Sequence, residues 1–149
     1  MPRKESTVDA VAERNMNTMR ATYQTLQGGD LDACVRLLTE DFIANLPGLP
    51  EPFRGREVWR MGAQAMLTAF PDLDIEIENM LAAGDQLAVR ARFRGTHRGE
   101  FNGVPATGRR VEFWSVEHYR FTADGRFAEE WVAPDIANLM RQLTEDAPG

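Results

Sequence analysis

The apolar positions of this chain change period about halfway along it. Val8, Val11, Met16, Met19, Tyr23 and Leu26 recur at helical spacing, with Asp9 and Glu13 early and Gly28-Gly29 as a stop. This predicts an amphipathic helix from Val8 to Gln27. Asp30 is placed to cap a second helix with Leu31, Cys34, Val35 and Leu38 on one face and an end near Asp41. Phe42 to Leu46 reads as a short strand. The proline-rich PGLPEPFRG that follows is read as an irregular turn, and Arg56 to Phe70 as a third helix closed by Pro71.

Beyond Pro71 the period becomes two. LDIEIENM alternates, QLAVRARFRGTH carries Leu87, Val89, Ala91 and Phe93 on one face, and RRVEFWSVEHYRF is a long β-branched and aromatic run. Turn signals at Ala83-Gly84-Asp85 and Thr107-Gly108 separate these strands, and Asp124-Gly125 precedes a fourth, RFAEEWV. Asp135 then caps a closing helix through Ile136, Leu139, Met140 and Leu143. Helices followed by short-turned strands predict an α+β domain, a curved antiparallel sheet covered on one face and enclosing a pocket. One domain is expected over residues 1–149, with flexible tails at 1–7 and 145–149.

Composition narrows the partners. Seventeen basic against 23 acidic residues give a net charge of -6, which offers no footprint for a nucleic-acid backbone. Cys34 is the only cysteine, which fits a reducing cytoplasm, and no run of about 18 apolar residues is present to span a bilayer. The two histidines, on separate strands, make no metal-ligand set, so neither metal nor cofactor is expected.

Side chains alternate along a strand, so the Leu87–Phe93 face continues through Gly95 to His97 at an inner rim. In the next strand Phe113, Ser115, Glu117 and Tyr119 oppose Trp114, Val116, His118 and Arg120, and the pattern does not choose between the two faces. In the last strand, Ala128, Glu130 and Val132 share a face that Glu129 and Trp131 do not.

The stretch from AFPDLD through GTHRGEFNGVPATGRR to YRF, followed by DGRFAEEW, resembles the SnoaL-like polyketide cyclase family. The resemblance runs from about Asn15 to Leu143. Its specific pieces are Phe70-Pro71-Asp72-Leu73, Gly95-Thr96-His97 with the glycines after it, and the terminal LMRQL. It implies the cone-shaped fold of nuclear transport factor 2 and ketosteroid isomerase, with three to four helices. It also implies a cofactor-independent activity on an aromatic or polycyclic ketone. The family's inward histidine falls on His118, which would turn Trp114 and Val116 inward too. The family's catalytic aspartate falls on Val132, a side chain that can neither give nor take a proton.

On this reading Glu130, desolvated among apolar neighbours and close to His118, is the candidate acid or base; the alternative is an ion pair with Arg90, Arg92 or Arg120. Asn45 or His97 would hold a carbonyl oxygen, and Trp59, Phe93, Trp114, Val116 and Val132 would wall the ligand. Phe101, in the glycine-rich stretch after His97, would close over it. The reaction expected is aldol-type cyclisation. Hydroxylation with a separate reductase, or a non-catalytic ligand-binding or dimerisation module, are the alternatives. A homodimer is expected, through an outer patch of Phe113, Tyr119, Phe121 and Trp131.

Overall fold

The computed structural model describes residues 7–146. The tails expected at 1–7 and 145–149 therefore fall, apart from Thr7, Glu145 and Asp146, outside the described residues. The elements run α1 (Thr7–Gln27), α2 (Leu31–Arg36), β1 (Leu38–Asn45), β2 (Phe53–Arg54), α3 (Arg56–Ala69), β3 (Asp74–Ala83), β4 (Gln86–Thr96), β5 (Arg110–Phe121), β6 (Phe127–Pro134) and α4 (Ile136–Thr144). The two capping aspartates act as their positions require. Asp30 accepts from the Ala33 N–H at 3.1 Å, and Asp135 from the Asn138 N–H at 3.1 Å.

The six strands form one curved sheet in the order β2-β1-β6-β5-β4-β3, with α1 across β3 and β4, α3 against β1 and α4 on β5. The α+β architecture is as the sequence implies, but the sheet is mixed rather than antiparallel. β1 runs parallel to β6, with Ala44 opposite Glu130 and Asn45 opposite Trp131.

The helix expected to run from Asp30 to near Asp41 stops at Arg36, and Leu38–Asp41 joins the first strand. Pairing with β6 explains this, since Leu38 pairs with Phe127 and the Leu38 carbonyl also accepts from the Arg56 guanidinium at 2.8 and 3.0 Å. The proline-rich stretch is not wholly irregular either. Phe53 and Arg54 pair with Ala44 and Ile43 and extend the sheet edge.

The core is the helix-facing side of the sheet, filled by Leu87, Val89, Ala91 and Phe93 of β4 and by Phe70, Leu139 and Leu143 from the helical side. The segment after β4 is strapped to the end of α3. The Arg98 and Gly99 N–H groups both donate to the Ala69 carbonyl, at 2.9 and 3.2 Å, and a Cβ on Gly99 would lie 2.2 Å from the Thr68 carbonyl oxygen. Only glycine permits that approach.

Candidate functional site

Register decides what β5 shows to the helices. Residues directly opposite on neighbouring strands share a face, and Leu87, Val89, Ala91 and Phe93 lie opposite Tyr119, Glu117, Ser115 and Phe113. The inner side of β5 is therefore Phe113, Ser115, Glu117 and Tyr119, all buried. The inward placement of Trp114, Val116 and His118 is corrected accordingly. Trp114 and Val116 are 49% and 53% exposed on the outer face, and the His118 ring lies against Trp131 there, with centroids 5.0 Å apart. The outer patch expected for dimerisation changes with it, since of Phe113, Tyr119, Phe121 and Trp131 only the last faces out.

Between sheet and helices lies a cavity of about 220 Å³. Its walls are mostly hydrocarbon: Met19 and Leu26 of α1, Val58, Trp59 and Met66 of α3, and Phe93 and Phe113 of the sheet. Phe93 and Phe113 stack at 5.4 Å between centroids, with Tyr23 edge-on to Phe93 at 6.2 Å. Glu117, Ser115, Tyr119 and Glu130 supply a polar patch on the sheet side, and Val132 lies beside them.

Two carboxyl groups meet in this patch under different conditions. Glu117 is buried and accepts from the hydroxyls of Tyr23 (3.0 Å), Ser115 (3.0 Å) and Tyr119. Burial raises its pKa, and those three donors pull it back. Both phenols are pushed well above their usual range by burial and by the charge of Glu117.

Glu130 is 5% exposed and sits opposite Tyr119 on one side and Ala44 on the other. Among the described residues no donor reaches its carboxylate; desolvation, and secondarily the charge of Glu117, push its pKa up to about 8. Among the described residues it has no ion-pair partner. Arg120 pairs with Glu129 at 3.2 Å, while Arg92 pairs with Glu78 and Glu112. Glu117, solvated by three hydroxyls, is therefore the first of the two to ionise, and Glu130 keeps its proton at neutral pH.

Of the ten residues expected at the site, Glu130, Trp59, Phe93 and Val132 line the cavity. The other six do not. His118, Trp114 and Val116 face outward, and Asn45 shares that side, donating to Glu129 at 3.0 Å and to the Glu130 carbonyl at 2.9 Å.

His97 is fully buried, but in the core around Phe70. Its Nδ1 accepts from the Thr107 N–H at 3.1 Å, which ties down the loop after β4, and its Nε2 has no partner among the described residues. Phe101 packs on Phe70 at 5.6 Å instead of closing over the cavity. The strap from Gly99 to α3 holds this loop away from the ligand space.

The residues that sequence reasoning missed are Glu117, Tyr23, Tyr119 and Ser115. A glutamate and a serine, Glu117 and Ser115, interrupting the aromatic face of Phe113 and Tyr119 were the available signal, because such breaks in pattern mark functional positions. Among the described residues no group of three or more histidine, cysteine or acidic side chains is arranged to hold a metal ion. No described helix is long and apolar enough to cross a membrane.

Residues 17–143 match the family model for the SnoaL-like polyketide cyclases. No curated protein matches the chain significantly. Among solved structures, AclR, a candidate hydroxylase from Streptomyces galilaeus, is 27% identical with a TM-score of 0.81, over 92% of this chain and 86% of that one. IdmH, a candidate polyketide cyclase from Streptomyces antibioticus, is 32% identical with a TM-score of 0.76, over 87% of this chain and 97% of that one. A SnoaL-like protein from Jannaschia sp. CCS1 shares the fold at 24% identity and a TM-score of 0.83, over 98% of this chain and 100% of that one.

Proposed function

The chain belongs to the SnoaL-like polyketide cyclase family, and from that premise we propose that it closes a ring in an aromatic-polyketide-type ketone by acid–base chemistry at Glu130. The observation that carries this reading is a carboxyl group that no described donor reaches, buried in the wall of an apolar cavity, where desolvation pushes its pKa up to about 8. At pH 7 about one molecule in ten has it ionised. That form takes the proton from the carbon beside the ketone. The enolate carbon then attacks a second carbonyl of the same molecule, and neutral Glu130 returns the proton to the new alkoxide. One side chain thus serves as base and then acid, and atoms balance with no other reactant.

Trp59, Phe93 and Val132 would hold the ring system against the sheet. A placed general acid–base group contributes roughly 10²- to 10⁴-fold in rate. The test is deuterium incorporation into the α-carbon of 2-tetralone in D2O, followed by NMR. Wild type should accelerate it and Glu130→Gln should lose that acceleration while still folding. Equal exchange by both would reject the assignment.

Hydroxylation is the second reading, favoured by Val132 in the cavity wall at the position where the resemblance puts a cyclase aspartate, and by the likeness to AclR. The cavity would then position an electron-rich ring while a separate reductase supplies electrons. Oxygen uptake dependent on a reductase and insensitive to Glu130→Gln would favour it over cyclisation.

For assembly we propose a homodimer through the outer face of the sheet. Leu81, Ala88, His118 and Trp131 lie in one cross-strand row there, and Asn79, Arg90, Val116 and Ala133 in the next. Leu81, Trp114, Val116 and Trp131 are exposed on this face, and large apolar side chains left in water on one sheet face favour an interface. Trp114→Glu should convert dimer to monomer in sedimentation equilibrium; a wild-type monomer would refute the proposal.

A further inference from the structure

Removing a proton from the carbon beside a ketone moves an electron pair onto the ketone oxygen. Glu130 takes that proton and cannot donate to the oxygen at the same moment, so a second group must face the developing charge. Few side-chain donors stand in the cavity wall. The hydroxyls of Tyr23, Ser115 and Tyr119 are given to Glu117, and that of Thr22 is given to the Thr18 carbonyl at 2.7 Å. Among the described residues no arginine, lysine, histidine, asparagine or glutamine lines the cavity.

One side-chain donor remains. The indole N–H of Trp59, on α3, has no acceptor among the described residues. Trp59, Ala63 and Met66 follow one another at helical spacing and all line the cavity, so the indole belongs to the face of α3 that covers it. A Cβ on Gly62, which also lines the cavity, would meet nothing within 4 Å, so open space lies beside the indole. An indole N–H set among hydrocarbon ordinarily has a partner, and phenylalanine would fill the same wall without needing one.

The position suits the task. α3 packs on β1, and β1 carries Ala44 opposite Glu130, both of them in the cavity wall. A ligand between the two layers therefore meets the carboxyl from the sheet and the indole from the helices. We infer that the Trp59 indole N–H holds the ketone oxygen while Glu130 works on the adjacent carbon. This makes Trp59 a catalytic residue, and it rests on the proposed reading of Glu130. A donor aimed at a developing oxyanion is worth about 10²-fold in rate, whereas a hydrogen bond to a neutral ketone is worth about tenfold or less in binding.

The wild-type protein carries its own controls. Of its three tryptophans, Trp114 lies 5.0 Å from the Arg92 guanidinium and Trp131 lies against His118, both on the outer face. With ¹⁵N-labelled indoles, assigned through Trp59→Phe, Trp114→Phe and Trp131→Phe, 2-tetralone should move the Trp59 N–H proton downfield. Tetralin, the same bicycle without the oxygen, should not, and the other two signals should stay in place with either. In the D2O exchange assay Trp59→Phe should lower kcat for α-deuteration about 10²-fold while KM changes by less than about tenfold.

A Trp59 signal that 2-tetralone moves no further than tetralin does would overturn the inference, as would a folded Trp59→Phe protein with wild-type kcat. If exchange is lost in Glu130→Gln and kept in Trp59→Phe, the proposed function stands and the role of Trp59 falls. If the ketone moves the Trp59 signal but wild type catalyses no exchange, the proposed function fails and the contact to oxygen stands.

Discussion

Glu117→Gln is the sharpest perturbation of the site, because it removes a charge while keeping shape. Glu117 and Glu130 lie diagonally across the β5–β6 ladder, Glu117 opposite Val132 and Glu130 opposite Tyr119. Diagonal neighbours are about 7–8 Å apart, and at an effective dielectric constant of about 20 two negative charges at that spacing repel by about 2.2 kcal/mol. At 1.36 kcal/mol per pH unit this corresponds to about 1.6 units. Removing the charge should therefore lower the Glu130 midpoint from about 8 to between about 6 and 7. It should stay above the ordinary 4.5, because burial, the larger cause, persists.

The fold should survive, since the hydroxyls of Tyr23, Ser115 and Tyr119 can rotate to accept from the new amide. The assay is a ¹³C-carboxyl NMR titration of glutamate-labelled protein, with Glu130→Gln assigning the resonance. In any turnover that needs ionised Glu130, the rising limb of the pH profile should move down by the same amount. A Glu130 midpoint unchanged in a folded Glu117→Gln protein would show that the two carboxyls do not feel each other. A wild-type midpoint near 4.5 would mean that the cavity is wet and the reasoning wrong.

Three further outcomes are expected. Burial raises the Glu130 pKa from 4.5 in the unfolded chain to about 8, so the stability tied to its neutral form is full below 4.5 and is lost as pH rises through 8. Glu130→Gln should then match wild type at pH 4 but exceed it by on the order of 4–5 kcal/mol at pH 9 in urea unfolding, and equal stabilities at pH 9 would refute the burial. Phe113→Ala should cost about 3–5 kcal/mol in the same assay; a loss below about 1 kcal/mol would place Phe113 on the outer face. Gly99→Ala should cost about 1–3 kcal/mol through its clash with the Thr68 carbonyl, and an unchanged Tm would show that the strap between loop and α3 is loose.

The sequence by itself determined whatever depends on the period of one element. The helical stripe through Met19 and Tyr23, the inward face of β4, the two aspartate caps and the shared face of Glu130 and Val132 all follow from 3.6- or two-residue repeats. Those repeats are covalent facts of a helix or strand. The choice of face for β5 needed its register on β4, which the connection from His97 to Arg109 sets; within the strand, Trp114 and Val116 outside balance Phe113 and Tyr119 inside.

That choice alone brought Glu117 to the cavity and sent His118 to the outer face. The parallel pairing of β1 with β6, which moved Asn45 out of the site and turned part of an expected helix into strand, is likewise a contact between residues over 80 positions apart. Local pattern carries no record of such distances. Packing between layers fixes them, and with them the desolvation that gives Glu130 its proton.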